Sequence, residues 1–513
     1  MRILVFAAAL LALPSVGFAE SNFSRLNPPG PHAVGFKVVD QYDYSRSYRG
    51  ATDPLTGKPL TGETARPIQT LIWYPADKGA KPVMSLADYV KLGASDDDFD
   101  HTPAEVAALE AKAIQRATGG VSPERAQREL TAPMLAHRDA DPEAGKFPVV
   151  IYAPSFNAGA MENADLCEYL ASQGYVVIAS PSVGQSTRDM TTDLEGAETQ
   201  AADIEFLIGF AHGLRQADTS HLAAMGYSWG GLSNVLAAAK DSRIKALVDL
   251  DGSVRYFPKI LKQAAYATEA RATAPLLFVA HAPDDFEQMP PDAPNSVTSP
   301  LNQMKYADVY LVSLAPMGHW NFNTVFGQRL LSAGDYGDYD KAELSTATAW
   351  METYVLRFLD AYLKDDGKSR AFLDLPAKQT GAPAHLFTTR VTHSKGVPTT
   401  RAAFAAELYR QGFDKAPAIY QSFKASDPDF SFSDEDLLNW GFQLMNNGDL
   451  PGAIALLRLD NEVHPDKWLA FDILGQAYAK HGDKALAIAA YRQSLVLNPQ
   501  NGNAVDRLKE LGG

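Results

Sequence analysis

Two patterns predict the fold class: an α/β domain built on a mostly parallel sheet, followed by an all-α repeat domain. The first is an alternation, between Phe147 and Leu314, of short β-branched apolar runs with amphipathic helical stretches. The runs are FPVVIYA, GYVVIAS, HLAAMGYS, ALVDLDG, PLLFVA and DVYLVSL. Each is apolar enough for a strand covered on both faces. An earlier run, QTLIWYP at residues 69–75, reads as a strand of the antiparallel edge of the same sheet. The second pattern is a period of 34 near the C-terminus, which separates Gly448 from Gly482, Asp449 from Asp483, Ala453 from Ala487 and Pro465 from Pro499. A chain of 513 residues, 46% of them hydrophobic, can fill the two cores that this division requires.

The opening MRILVFAAALLALPSVGFAE carries one charge at Arg2, an apolar run from Ile3 to Leu13, a break at Pro14, and small residues at Gly17 and Ala19. It reads as a secretory leader over residues 1–19, so an exported protein, periplasmic or secreted, is expected. A run of 11 apolar residues is too short for a bilayer, which takes about 20, and no membrane-spanning segment is expected in the mature chain. Cys167 is the only cysteine, so no internal disulfide can form, and its place in ADLCEYLASQG predicts a buried packing role. The net charge of −15 disfavours nucleic acid as a partner. Eleven scattered histidines form no H-E-x-x-H and no paired Cys and His spacing, so neither a metal nor another cofactor is expected.

On this reading the α/β domain covers residues 20–392, a Pro and Thr-rich linker HSKGVPTTR covers 393–401, and the repeats cover 402–513. Residues 83–144 form an insertion in which EVAALEAKAIQRA and SPERAQRELTAPML read as helices, the first opened by Thr102, Pro103 and Glu105. It is either a cap over the site or a surface excursion. A degenerate repeat unit is expected around Gly412, Ala418 and Pro428, and NAVDRLKELGG reads as a closing helix.

The chemistry centres on Gly-Tyr-Ser-Trp-Gly at residues 226–230. The strand HLAAMGYS before it and the helix GLSNVLAAAK after it make the strand-turn-helix of a nucleophile elbow, as in α/β-hydrolases, with Ser228 as nucleophile. A serine needs a base, and His319 in APMGHWNF follows the last parallel strand, where the chain order of this fold puts one. For the acid the residues leave rivals: Asp251 after ALVDL, and Asp284 or Asp285 after the next strand. The backbone N–H groups of Trp229 and Phe156 are the expected oxyanion donors. Ser155, Asn157, Tyr227, His281 and Trp320 are expected to shape or line the substrate site.

The segments IWYPA at 72–76, VVIYAPSFNAGA, GYSWGG, ALVDLDG and PMGHWNF resemble the secreted and type II platelet-activating factor acetylhydrolases over roughly residues 35–365, and more loosely the dienelactone hydrolases. The resemblance implies Asp251 as the acid, short or oxidised acyl chains as substrates, and no metal. One departure bears on acyl preference: the family carries His-Gly in the oxyanion loop where this chain has Pro154 and Ser155. The period of 34 resembles the tetratricopeptide repeat. Together these readings predict an exported, metal-free serine hydrolase of small or lipid-like short-chain acyl or acetyl esters. Its repeats would serve docking or self-association, with a groove for a protein partner as the other use. Two alternatives stand beside it: a partner-binding platform with little turnover, and an amidase or peptidase using the same triad.

Overall fold

The computed structural model describes residues 21–50, 52, 57–59, 62–79, 81–281, 299–330 and 338–513. The leader at 1–19 and the rival acids Asp284 and Asp285 lie outside the described residues. The chain divides into two compact units that meet between Lys395 and Gly396.

Among its described residues the first unit holds one sheet of eleven strands: β1 (Ala33–Ser47), β2 (Ala65–Ala76), β3 (Val83–Ser85), β4 (Pro133–Arg138), β5 (Phe147–Ala153), β6 (Val176–Ala179), β7 (Ala217–Tyr227), β8 (Ile244–Leu250), β9 (Leu276–His281), β10 (Val309–Leu314) and β11 (Phe387–Thr392). Their order is β11-β10-β9-β8-β7-β5-β6-β2-β1-β4-β3. Strands β5 to β10 pair in parallel, and they are the six apolar runs read from the sequence. Strand β2 is antiparallel to both β1 and β6, so QTLIWYP lies inside the sheet and not at its rim. All of β2 is buried, including Arg66, whose guanidinium is paired with Asp203.

Alternation along the strands serves two cores. Val150 and Tyr152 face the layer containing helices α4 (Ala164–Ser172) and α9 (Lys341–Leu363). Val149, Ile151 and Ala153 face the layer containing α5 (Leu194–Ala211) and α6 (Trp229–Lys240). Cys167 is buried in the first of these cores.

The segment at 83–144 differs from the helical insertion expected of it. Helices α1 (Leu86–Val90), α2 (Pro103–Ala117) and α3 (Pro123–Leu130) are present, and Thr102 with Glu105 forms the capping box at the start of α2. SPERAQRELTAPML, however, is not one helix. It stops at Leu130, and β4 starts at Pro133, which cannot supply the helical N–H. Strands β3 and β4 extend the sheet beyond β1, so the segment is part of the scaffold.

The second unit is all helical: α11 (Arg401–Gln411), α12 (Ala416–Ser426), α13 (Asp434–Asn446), α14 (Leu450–Val463), α15 (Trp468–His481), α16 (Lys484–Leu497) and α17 (Gly502–Leu511). The period of 34 has a physical basis here. Gly448 and Gly482 take left-handed backbone between paired helices, at φ 88° and 97°. Asp449 and Asp483 stand at the starts of α14 and α16, and Ala453 and Ala487 are fully buried. In the degenerate unit the buried small residue is Ala416, whereas Ala418 is exposed, because the short turn at Phe413–Lys415 shifts the spacing. Arg401 is already helical, capped by Thr400, so the last residue of the expected linker belongs to α11. Among the described residues no helix is long and apolar enough to cross a membrane.

Candidate active site

The end of β7 and the start of α6 form the sharp turn that the sequence implied. Ser228 caps α6 with φ 54° and ψ −117°, a conformation that a side chain rarely adopts and that persists only where surroundings enforce it. The glycines on either side are required by packing. A Cβ on Gly226 would lie 2.5 Å from the Gly230 carbonyl carbon, and one on Gly230 would strike the Ala153 carbonyl of β5. The turn therefore lifts Ser228 above the sheet while its flanks lie flat on β5.

Three side chains from three strand ends meet at this turn. Ser228 Oγ is 3.0 Å from His319 Nε2, and His319 Nδ1 is 2.5 Å from Asp251 Oδ2. Asp251 is fully buried and follows β8; His319 follows β10 in a 3-10 turn, His319–Phe322. Burial alone raises the pKa of Asp251, but hydrogen bonds from two histidines outweigh it and bring the carboxyl to about 2. The second histidine is His281, at the end of β9, with Nδ1 2.8 Å from the same oxygen and its backbone N–H 3.3 Å from Oδ1. His281 was expected to line the substrate site; its ring is turned instead onto the acid.

Asp251, His281 and His319 are also the one grouping among the described residues with ligand atoms close enough for a metal, all within 4.8 Å of one another. Zinc with bonds of about 2.1 Å holds tetrahedral ligands roughly 3.4 Å apart. Separations of 2.5 and 2.8 Å between the ring nitrogens and Oδ2 are those of hydrogen bonds.

The loop after β5 faces the serine turn. Neither the Phe156 nor the Trp229 N–H donates to a protein acceptor among the described residues, so both are free for a developing oxyanion. The two side chains meet edge to face at 5.7 Å. The other residues expected to line the site divide by environment. Trp320 is 69% exposed beside His319. Tyr227 is buried, and its hydroxyl donates to the His319 carbonyl at 3.0 Å, so it supports the histidine loop and does not line a pocket. Ser155 Oγ donates to Glu162 Oε2 at 2.8 Å. Asn157, in left-handed backbone at φ 57°, accepts the Met190 N–H on its side chain and the Arg188 guanidinium on its carbonyl. Both shape the loop from within.

Sequence reading missed the groups that fix these loops. Arg188 is paired with Asp96 at 2.7 Å and so ties the 83–144 segment to the oxyanion loop. Between them lies a cavity of about 530 Å³, walled by Val90, Leu109 and Ala113 on one side and by Gly159, Met161 and Phe326 on the other. Glu162 and Asn323 join the oxyanion loop to the histidine loop. The one local signal, for Glu162 alone, was the Glu-Asn pair just before α4.

Loss of the second donor to Asp251 has a signed consequence. The folded-state pKa of this carboxyl lies below its ordinary value of 3.8, so its bonds stabilise the fold above that pH, and the contribution is lost as pH falls towards 2. His281→Ala is expected to lower the unfolding free energy by about 1.5–3 kcal/mol near neutrality and by much less near pH 2. Urea unfolding at the two pH values checks this; an equal loss at both would show that His281 acts through packing alone.

Residues 68–275 match the family model of X-Pro dipeptidyl-peptidases of the S15 family, and residues 468–501 match the tetratricopeptide repeat. A curated protein of Methylorubrum extorquens, whose name assigns it to the carboxymethylenebutenolidases, is 26% identical over 123 residues, 22% of this chain and 42% of that protein. The match thus spans less than half the length of that relative. Among solved structures, the ferulic acid esterase from Streptomyces cinnamoneus aligns with a TM-score of 0.48 at 19% identity, covering 70% of this chain and 98% of that one. The mostly parallel sheet and the match over residues 68–275 give the first unit the α/β-hydrolase fold, and the helical second unit carries the tetratricopeptide match over residues 468–501.

Proposed function

We propose that the protein is a serine carboxylic ester hydrolase that works through an acyl-Ser228 intermediate. The observation that carries this reading is the continuous hydrogen-bonded line from Ser228 Oγ through the His319 ring to the buried Asp251 carboxylate. His319 Nε2 takes the serine proton as Oγ attacks the ester carbonyl, and Asp251 holds the ring and balances the imidazolium charge. The N–H groups of Trp229 and Phe156 receive the oxyanion. His319 then returns the proton to the departing alcohol, and water, activated in the same way, releases the acid and frees the serine.

The substrates proposed are small or lipid-like esters of short acyl or acetyl groups, on the strength of the acetylhydrolase-like sequence segments. The name of the Methylorubrum relative adds a lactone to the candidates. The leader-like opening supports export to the periplasm or medium, with cleavage after Ala19. The repeat unit supports docking or association with a protein. Cleavage of an amide is a second reading, favoured by the match to the X-Pro dipeptidyl-peptidase model over residues 68–275.

A series of p-nitrophenyl esters from acetate to palmitate, set beside a Gly-Pro p-nitroanilide, separates the two readings. Turnover is expected to be highest with the short esters and to fall by about 10³-fold or more in Ser228→Ala. Preference for the anilide would move the assignment to a peptidase, and ester turnover that survives the serine change would remove Ser228 from the chemistry. Protein recovered from the periplasm or medium is expected to begin at Glu20. An intact Met1 on all of the recovered protein would contradict cleavage of the leader.

A further inference from the structure

Glu162 is a buried acid that the chemistry above leaves unused. It stands just before α4, is fully enclosed, and takes part in no ion pair among the described residues. An unpaired carboxyl is costly to bury, so its partners matter. There are four, all donors. Oε1 accepts the Ser155 N–H at 2.5 Å and the Tyr152 hydroxyl at 3.0 Å. Oε2 accepts the Ser155 hydroxyl at 2.8 Å and the Asn323 side-chain amide at 3.1 Å.

These partners belong to the two loops on which the proposed reaction depends. Ser155 immediately precedes Phe156, whose N–H is the second oxyanion donor proposed above. Asn323 follows the 3-10 turn that carries His319, and its own N–H donates to the Trp320 carbonyl. The backbone carbonyl of Glu162 adds a third tie by accepting the Val325 N–H at 3.1 Å. Next to it, Asn163 Oδ1 accepts the Thr324 N–H at 3.0 Å. One carboxyl therefore sets the distance between the oxyanion donor and the general base.

We infer that Glu162 is a positioning residue for the proposed hydrolysis, one that holds the Phe156 N–H and the His319 ring in register across the serine through Ser155 and Asn323. It acts through these neighbours and does not meet the substrate. Loss of such register weakens charge stabilisation in the transition state while leaving substrate contacts in place, so it lowers kcat more than it changes KM. The inference rests on the reading of Ser228 as nucleophile.

Glutamine has the shape of Glu162 but an NH2 donor group in place of one of the two acceptor oxygens. If its amide nitrogen takes the Oε1 side it meets the Ser155 N–H, and if it takes the Oε2 side it meets the Asn323 amide. In either orientation one loop loses its acceptor. Burial lifts the Glu162 carboxyl, against the bonds from Ser155 and Tyr152, to about 7. The titratable groups that feel its charge are Tyr152 of β5, Tyr227 of β7 and Cys167 of α4, and burial pushes all three upward and keeps them neutral. The acceptor set of Glu162 is thus complete only on the alkaline side of its titration.

The experiment compares the full-length protein with Glu162→Gln, using p-nitrophenyl acetate turnover from pH 5 to 9 and labelling of Ser228 by a fluorophosphonate, which loses fluoride to the serine and whose phosphoryl (P=O) oxygen takes the oxyanion position. In Glu162→Gln, kcat and the labelling rate are expected to fall about 10- to 100-fold, with KM within about threefold. The pH profile of kcat is expected to lose the limb set by Glu162. Should Glu162→Gln fail to fold, Ser155→Ala and Asn323→Ala each remove one side-chain tie to Glu162, the first leaving the Ser155 N–H bond in place, and each is expected to lower the labelling rate. Rates within twofold of the parent in the folded variants, with an unchanged pH profile, would overturn the assignment of Glu162 while leaving Ser228 in place. A parent protein inert to both ester and fluorophosphonate would overturn the nucleophile and this inference together.

Discussion

A carboxylate fully removed from water stays charged only if protein donors replace its hydration. Asp251 meets that condition with two imidazoles and a backbone N–H, and the rest of the site is arranged around it. Beside its position at the end of β8, β9 ends on His281, and the chain after β10 returns His319 to the same carboxylate. The neighbouring strand, β7, then presents Ser228 within reach of the far side of the same ring. Four adjacent strands of a parallel sheet thus deliver four polar groups to one edge, where ligands bind in open α/β folds.

Around this centre, structure is spent on holding loops still. Backbone donors aimed at a developing charge are effective only if they need no rearrangement when the charge appears. The oxyanion loop is secured from below by Gln200, whose side chain donates to the Pro154 carbonyl at 2.8 Å, and from the side by Arg188 on Asn157. From behind it is secured by Glu162. The histidine loop is held by Tyr227 on the His319 carbonyl and by Gln328 on the Asn321 carbonyl. The π-helical turn Thr324–Leu330 follows directly and carries Gln328. The segment at 83–144 belongs to the same system, since Asp96 anchors Arg188.

What could be read from the sequence follows from which forces are local. The six parallel strands were legible because a strand buried on both faces is a continuous apolar run, and the serine turn because its two glycines flank the serine within five residues, between an apolar strand and a helix. The 34-residue period was legible because left-handed glycines and helix caps recur wherever the helical pair recurs. Strand β1 was not read: only its first half is apolar, and QYDYSRS carries polar and charged residues along its exposed part. Strand β4 was absorbed into a helix because PMLAHR follows a run of strong helix formers, and only Pro133 marks the change. The bonds from Glu162 to Asn323 and from Arg188 to Asp96 join residues 161 and 92 positions apart. No local pattern announces such pairs. Asp251 was singled out through family resemblance; spacing alone left it level with acids on the next loop.

The claim on which the account turns is that Ser228 becomes acylated. Mixing the full-length protein with p-nitrophenyl acetate, quenching in acid within the first turnovers and mapping the digest by mass spectrometry tests this directly. The account requires one acetyl group on the peptide containing Ser228, absent from the quenched Ser228→Ala protein. Rapid release of p-nitrophenol with no acetyl on that peptide, or with acetyl on another side chain, would contradict it.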